Sequence, residues 1–402
     1  MRSFRAAFIG VIGIGAIGSP ALAAQALGEP FNGAYQQLRR GTDHLADVPT
    51  GRIELTRTNQ DGLLHRYVVI VPENYDASRR YPVAFYLHGG VSRPNPGPGG
   101  GWWRNYDVVT GHDRIAVLPL SWDESLWWQA SQIENLRGIL SDVKRTYNVD
   151  ENRVYVFGSS DGGTGVYFLG FKDATPWAAF LPFIGYPGVL LSPRTGTDGQ
   201  IHLANLTNKP IFIVSGETDR LYPARLMAPF LQAFQDAGVD FVFITKPGGH
   251  NTRWWPEETE NIERFIEAHP RDPHPVRVRW ATEFADRYNR AHWVVINELG
   301  PISGDDERPA LASLTADGRS GAVDAVRNGN TVTIDAYHVR SLTVLISPDA
   351  FDIRSPIRVV ANSEVAFEGM VRPSVETLRK WAASDEDRTM LYAAEITVEL
   401  DR

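Results

Sequence analysis

The spacing of apolar and polar positions divides the chain into two parts. Between residues 51 and 270, continuous apolar runs alternate with segments whose apolar residues recur at helical spacing, as Ile133, Leu136 and Leu140 do. Apolar strands separated by helices predict a parallel sheet covered on both faces. The predicted strands are His65–Pro72, Tyr81–Gly90, Arg114–Leu120, Arg153–Gly158, Ala178–Gly185, Pro210–Gly216 and Val239–Thr245. The predicted helices are Ser131–Tyr147, Thr164–Phe171, Ala224–Ala237 and Glu257–Ala268.

A Pro-rich segment, His269–Val276, ends this alternation. Beyond it the apolar segments read mostly as strands, and the dipeptides Asn328-Gly329 and Asn362-Ser363 suit the turns between them. We therefore expect an α/β domain over residues 51–270 and a β-rich, sandwich-like accessory domain over residues 276–402. We expect the β-rich domain to be antiparallel, and residues 24–50 to form a polar lead-in to the first domain.

The first 23 residues have the three parts of a secretory signal peptide. Arg2 and Arg5 supply the positive charge, Phe8–Ile17 is apolar, and Ala21-Leu22-Ala23 is a small-residue cleavage site. A membrane anchor or a buried first helix is the alternative, but the apolar run is short for a span of about 20 residues. The pattern predicts export to the periplasm or the medium, with no stable membrane anchor once the signal is cleaved.

Composition narrows the classes of function. The net charge is −8 with no basic cluster, which argues against nucleic-acid binding. The 402 residues include no Cys, which excludes thiol chemistry and cysteine-ligated metal sites. The chain is rich in Trp, with eleven, and they are unevenly spread.

The stretch Gly158-Ser159-Ser160-Asp161-Gly162 fits the pattern G-x-S-x-G with Ser160 at its centre. An apolar strand precedes it and a helix-compatible segment follows, which is the context of a nucleophile on a tight strand-to-helix turn. Ser160 as a helix N-cap is the alternative. Ser159 is the weaker nucleophile because it lies off the centre of the motif.

A serine nucleophile needs a base, and the base needs an orienting acid. Asp219 and His250 follow the predicted strands Pro210–Gly216 and Val239–Thr245, so both lie at the carboxyl edge of the sheet with Ser160. Their order along the chain is the order of the serine, acid and histidine in α/β-hydrolases. An Asx turn at Asp219 and a surface role for His250 are the alternatives. Glu217 is the competing acid, and His202 and His269 are weaker candidates for the base.

The reaction also needs N–H donors for a developing oxyanion. We expect one from Asp161, which follows the nucleophile. We expect the other from the loop after Phe85–Gly90, most simply from Gly90 itself. His88, in the same loop, is expected to have a structural role.

Several Trp fall in segments that should loop over the edge of the sheet that carries Ser160. They either line a cleft for a ring-shaped acyl or sugar group or pack the loops onto the sheet. The candidate cleft residues are Trp102, Trp103, Trp127, Trp128, Trp254 and Trp255, and Trp122 falls in the same set of segments. Arg253 either pairs with an anionic substrate or is a surface residue.

The segments Leu87–Gly90, Gly158–Gly163, Gly216–Pro223 and Gly248–Trp255 together resemble the α/β-hydrolase superfamily. The closer likeness is to secreted bacterial esterases of the dienelactone-hydrolase, feruloyl-esterase and prolyl-oligopeptidase-like groups, over about residues 50–270. The resemblance implies the α/β-hydrolase fold and acyl transfer without metal or other cofactor. It also implies that Ser160 is the nucleophile, that His250 is the base and then the acid, and that Asp219 orients His250.

The expected function is therefore an exported serine hydrolase that cleaves a small-molecule or polymer-borne carboxylic ester. A prolyl-oligopeptidase-like peptidase is the alternative, although such enzymes carry a large propeller domain before the hydrolase and little chain precedes the first strand here. A non-catalytic polysaccharide-binding protein is a third hypothesis, against which the complete set of Ser160, Asp219 and His250 argues.

Overall fold

A computed structural model describes residues 29–102, 106–110, 113–197, 199–301 and 320–400. The predicted signal peptide, residues 1–23, and the predicted cleft residue Trp103 lie outside these ranges. Within them, no helix is both long enough and apolar enough to cross a membrane.

The first part of the chain forms one eight-stranded sheet, in the order β1-β2-β4-β3-β5-β6-β7-β8. Strands β3 to β8 run parallel, and β2 pairs antiparallel with both β1 and β4. The strands are β1 Gly51–Thr58, β2 Leu64–Val71, β3 Tyr81–Leu87, β4 Ile115–Pro119, β5 Val149–Ser159, β6 Ala179–Phe183, β7 Ile211–Gly216 and β8 Phe241–Lys246. The predicted mostly parallel sheet is confirmed.

Side chains on neighbouring positions of the central strands belong to different hydrophobic clusters. Phe85 and Val156 lie in one cluster, and Tyr86 and Phe157 lie in another. Successive side chains of a strand point to opposite faces, so both faces of the sheet are buried. The helices are α1 Glu29–Arg40, α2 Ala130–Thr146, α3 Asp161–Lys172, α4 Leu203–Leu206, α5 Ala228–Ala237, α6 Trp255–Ala268 and α7 Val375–Asp385. This helix-covered sheet has the predicted α/β-hydrolase fold.

The strands beyond residue 276 form two smaller sheets, a four-stranded one in the order β10-β11-β14-β17 and a five-stranded one in the order β16-β15-β13-β12-β9. Their bounds are β9 Arg277–Thr282, β10 Arg290–Ala291, β11 Val294–Leu299, β12 Gly321–Asn328, β13 Thr331–Tyr337, β14 Val339–Ile346, β15 Ile357–Ala361, β16 Glu364–Gly369 and β17 Ala394–Glu399. The two sheets share one hydrophobic cluster, as in a sandwich. The expectation of purely antiparallel pairing was wrong, because β15 returns alongside β13 in the parallel direction.

The β-rich part is bonded to the α/β part through buried polar side chains. The Asn205 amide donates to the Ala281 carbonyl at 2.8 Å and accepts the Ala281 N–H at 2.7 Å, so it binds β9 as a neighbouring strand would. Glu283 is buried between Lys172 and His202 and pairs with both. Paired buried charges tolerate little rearrangement, because separating them leaves an uncompensated charge. The two parts are therefore held in a fixed relation by polar contacts as well as by apolar packing.

Candidate active site

Ser160 lies on a strained turn between β5 and α3. Its φ is 57° and its ψ is −122°, a backbone conformation that non-glycine residues rarely adopt. The turn is held because the Ser160 N–H donates to the Phe183 carbonyl at 2.9 Å and the Ser160 carbonyl accepts the Thr164 N–H at 3.0 Å. Strain of this kind persists where the surrounding structure imposes it, and it is common at active sites.

The glycines around Ser160 are required by close backbone approach. A Cβ on Gly162 would lie 1.9 Å from the Leu87 carbonyl oxygen, and one on Gly158 would lie 2.3 Å from the Gly162 carbonyl oxygen. A Cβ on Gly89 would lie 2.9 Å from the Ser160 Cβ. The glycines of the motif thus allow α3 to start directly against the end of β3, which exposes the Ser160 hydroxyl above the sheet.

Ser160, His250 and Asp219 form a chain of hydrogen bonds. The His250 Nε2 lies 2.7 Å from the Ser160 Oγ, and the His250 Nδ1 lies 2.7 Å from the Asp219 Oδ2. An ionised carboxylate only accepts, so Nδ1 carries the proton and Nε2 is free to accept the Ser160 hydroxyl proton. The structure therefore brings together the nucleophile, base and acid predicted from the sequence, in the geometry that activates a serine.

Hydrogen bonds to both of its carboxylate oxygens hold Asp219 in place. Its Oδ1 accepts the N–H groups of Leu221 and Tyr222 at 2.8 and 3.0 Å, and its side chain is fully buried. These donors fix the position of the carboxylate and leave Oδ2 directed at His250. Asp219 can therefore keep the imidazole in one orientation and stabilise its protonated form.

The other candidates from the sequence, which compete with Ser160, Asp219 and His250, have different surroundings. The Ser159 Oγ lies 2.8 Å from the Tyr86 hydroxyl, Glu217 is exposed, and His202 pairs with the buried Glu283. The His269 Nδ1 bonds the Phe265 carbonyl at the end of α6. None of the four takes part in the hydrogen-bond chain of Ser160.

The structure corrects the prediction for Gly90. Its N–H donates to the Asp161 Oδ2 at 3.0 Å, and the Val91 N–H donates to the same oxygen at 3.0 Å. The Gly90 donor is therefore already occupied and does not stand open for an oxyanion. The Asp161 N–H is at the first position of α3, where a helix leaves its amide without an intrahelical acceptor, so it fits the donor role expected of it.

Tyr222 belongs to the site although no motif in the sequence marks it. Its hydroxyl donates to the Asp161 Oδ1 at 3.3 Å, and its ring meets the His250 ring edge-on with centroids 5.6 Å apart. Burial and the Asp161 carboxylate raise the pKa of Tyr222, so the hydroxyl keeps its proton. The signal was its place three residues after Asp219, in the turn whose N–H groups bind that acid.

His88 has the structural role expected of it. Its Nε2 accepts the Ser121 N–H at 3.1 Å, so its Nδ1 carries the proton and donates to the Gly89 carbonyl at 2.9 Å. Burial lowers the pKa of His88, which keeps the ring neutral. The ring thus joins the loop after β3 to the loop after β4, beside Ser160.

A cleft of about 830 Å³ opens over Ser160. Its walls come from the loop after β3, from the segment that follows Asp219 and from the segment that follows His250. Its larger side chains include Arg93, Pro96, Trp102, Leu221, Tyr222 and Arg253. The cleft is thus bounded by polar and apolar groups together.

The predicted Trp-lined cleft is wrong for most of its residues. Of the Trp expected there, only Trp102 borders the cleft among the described residues, and it is 8% exposed. The Trp127 Nε1 donates to the His88 carbonyl at 2.8 Å and the Trp128 Nε1 to the Thr195 carbonyl at 2.7 Å. The rings of Trp122, Trp127, Trp128, Trp254 and Trp255 are buried. These rings attach the loops to the sheet because they provide large apolar faces and one N–H each.

Within the described ranges, His, Asp and Glu side chains do not gather in groups of three or more that suit a metal ion. The arrangement around Ser160 can carry out nucleophilic attack with proton transfer through His250.

Comparison with known proteins gives likeness of fold only. Neither a protein-family model nor a curated protein matches the sequence. Among solved structures, a thermostable esterase is similar at 21% identity and a TM-score of 0.43, over 55% of this chain and 63% of that one. The acylaminoacyl peptidase of Pyrococcus horikoshii is similar at 16% identity and a TM-score of 0.43, over 55% of this chain and 41% of that one. Est1E from Butyrivibrio proteoclasticus is similar at 14% identity and a TM-score of 0.41, over 55% of this chain and 98% of that one. The chain thus covers less than two thirds of the first two proteins.

Proposed function

We propose that this chain is a serine hydrolase that cleaves carboxylic esters through an acyl-enzyme intermediate. The observation that carries the proposal is the unbroken hydrogen-bond chain from the Ser160 hydroxyl through His250 to the buried Asp219 carboxylate. The strained backbone of Ser160, beside a cleft open to substrate, supports it. A serine in a merely structural turn needs neither a base nor an orienting acid.

The reaction follows from these positions. His250 Nε2 takes the hydroxyl proton as the Ser160 Oγ forms a bond to the ester carbonyl carbon, and the Asp161 N–H faces the oxygen on which charge develops. The bond to the alcohol then breaks, and the alcohol leaves with the proton held by His250. Water repeats the sequence on the acyl-enzyme, which releases the acid and restores Ser160.

Ser159 and Ser160 are adjacent, so a variant of each provides the test. Purified wild type should hydrolyse 4-nitrophenyl butyrate, Ser160→Ala should lose at least about a thousandfold of kcat, and Ser159→Ala should retain most activity. Ser159 is a close control because it bonds Tyr86 rather than His250. Equal losses in the two variants, or full activity in Ser160→Ala, would refute the proposal.

The same chemistry attacks peptide bonds, so the substrate class needs its own measurement. Short peptides and 4-nitroanilides are assayed beside the esters, with active-site titration by a fluorophosphonate as the common reference. Faster cleavage of peptides than of esters would assign a peptidase instead.

We also propose that the protein is exported. The positive residues Arg2 and Arg5, the apolar run Phe8–Ile17 and the site Ala21-Leu22-Ala23 support this. Mass spectrometry of the protein from its host should show a mature chain that starts near Ala24. A chain that retains Met1 or Arg2 would refute export by this route.

A further inference from the structure

Two arginines border the cleft beside Ser160, and neither forms an ion pair with a described residue. They are Arg93, in the loop after β3, and Arg253, three residues after His250. Arginines in other parts of the described chain commonly have carboxylate partners, as Arg57 has Glu134 and Arg271 has Asp387. Guanidinium groups without a carboxylate partner, facing a substrate cleft, are available to an anion.

The position of Arg93 brings its charge close to the nucleophile. Its Cζ lies 3.7 Å from the place a Cβ would take on Gly90, and the corresponding place on Gly89 lies 3.4 Å from the Ser160 Oγ. The Arg93 carbonyl accepts the Asp123 N–H at 3.0 Å, which fixes the backbone of this loop against the next one. The guanidinium therefore lies against Gly90, which follows the glycine that adjoins Ser160.

Arg253 borders the cleft from a different segment, the one that follows His250. Its N–H donates to the Asn251 Oδ1 at 3.0 Å, in a turn that follows His250 directly. Its side chain is exposed, so its charge is open to a ligand in the cleft. The two arginines thus reach the cleft from separate loops, one beside the nucleophile and one beside the base.

The acidic groups near Ser160 do not cancel this charge by pairing with the arginines. Asp161 borders the cleft, and its oxygens accept the N–H groups of Gly90 and Val91 and the Tyr222 hydroxyl. Asp219 is fully buried behind His250. Both carboxylates are bonded to groups other than Arg93 and Arg253, so neither guanidinium has an ion-pair partner among the described residues.

We infer that the substrate is an ester that also carries a carboxylate, which Arg93 and Arg253 bind. This inference rests on the proposed ester hydrolysis and adds the charge of the substrate to it. The carboxylate lies on the acyl part or on the alcohol part of the ester, and matched probes distinguish the two. Exposed charges are screened by salt, so the preference for an anionic ester must weaken as ionic strength rises.

The test compares kcat/KM for charged and neutral esters of the same shape. The pair 3-carboxyphenyl butyrate and phenyl butyrate places the charge on the alcohol, and the pair methyl hydrogen adipate and methyl hexanoate places it on the acyl group. Wild type should favour the charged member of one pair by about tenfold or more at low salt. Arg93→Gln and Arg253→Gln should each remove most of that preference, because kcat/KM should fall further on the charged ester than on the neutral one.

Arg225 provides the matched control because it is exposed, has no carboxylate partner among the described residues and lies outside the cleft walls. Arg225→Gln should keep the preference, and Arg253→Lys should restore part of it. Hydrolysis of both members at equal rates, or equal losses in Arg225→Gln, would overturn the anionic substrate and leave the proposed hydrolase intact. Hydrolysis of none of the four esters would overturn the proposed function itself.

Discussion

The carboxylate of Asp161 binds the N–H of Gly90 at 3.0 Å, so the residue after Ser160 holds the loop that follows β3. The same carboxylate accepts the Val91 N–H and the Tyr222 hydroxyl, and Tyr222 packs against the ring of His250. One side chain thus connects the loop after β3, the start of α3 and the environment of the base. We therefore expect Asp161 to act as a positioning residue, in addition to the proposed role of its own N–H.

We expect Asp161→Ala to lower kcat on 4-nitrophenyl butyrate by about tenfold to a hundredfold, because small displacements of catalytic groups cost this much. Asp161→Asn should stay within about threefold of wild type, since its amide oxygen can still accept both N–H groups. Steady-state kinetics on the two variants, with thermal unfolding to check the fold, measures this. A gain of activity in Asp161→Ala would instead mean that the carboxylate blocks Gly90 as an oxyanion donor.

Asp219 and Glu217 both follow β7, so matched variants of the two test which acid orients His250. Asp219→Asn should lower kcat by about 10³–10⁴, because an amide favours the wrong tautomer of His250. Glu217→Gln should change kcat by less than about twofold, since Glu217 is exposed and outside the hydrogen-bond chain. Comparable losses in the two variants would contradict the assignment of Asp219.

The buried Trp rings are expected to support the loops rather than to select the substrate. Trp127 is fully buried, its Nε1 bonds the His88 carbonyl, and its ring meets the His88 ring at 5.3 Å between centroids. Trp127→Ala should therefore reduce the free energy of unfolding by about 3–5 kcal/mol. Its kcat/KM should fall by the same factor on acetyl and feruloyl esters of one alcohol. A selective loss on the feruloyl ester would show that the ring contacts the acyl group after all.

The sequence predicted the positions of Ser160, Asp219 and His250 because those positions follow from topology. Each residue follows the carboxyl end of a strand of a parallel sheet, and such strands end at one edge, so the order along the chain placed the three side chains together. The strand bounds agreed to within a few residues for the same reason, since buried parallel strands are continuous apolar runs.

The predictions that were wrong concern groups whose partners come from distant loops. The Gly90 N–H was expected to face an oxyanion, but its acceptor depends on where the Asp161 side chain turns, which the motif does not specify. A Trp in a loop can face a cleft or the sheet. Either position can cover the apolar ring, so the sequence pattern does not distinguish the two. Tyr222 was missed because its role comes from contacts with Asp161 and His250 across the cleft.

His65 makes the stability of the fold sensitive to acid. It is fully buried on β2, its ring lies 5.0 Å from the Trp122 ring, and its two ring nitrogens have no hydrogen-bond partner among the described residues. Burial, followed by the charge of Arg57, lowers the pKa of His65 to about 4. The unfolded chain, with a histidine pKa of about 6.5, therefore binds the proton first as the pH falls.

Because the unfolded state binds more protons between pH 6.5 and 4, the free energy of unfolding must rise with pH across this window. His65 alone should remove about 2 kcal/mol of stability between pH 7 and pH 5. His65→Leu has a similar volume and no titrating group, so it should stay within about 1.5 kcal/mol of wild type at pH 7 and lose less on acidification. Denaturant unfolding at pH 7, 6 and 5 measures the difference, and the other buried histidines cancel because both proteins contain them. Parallel losses in the two proteins would mean that His65 takes up its proton in the folded state without cost.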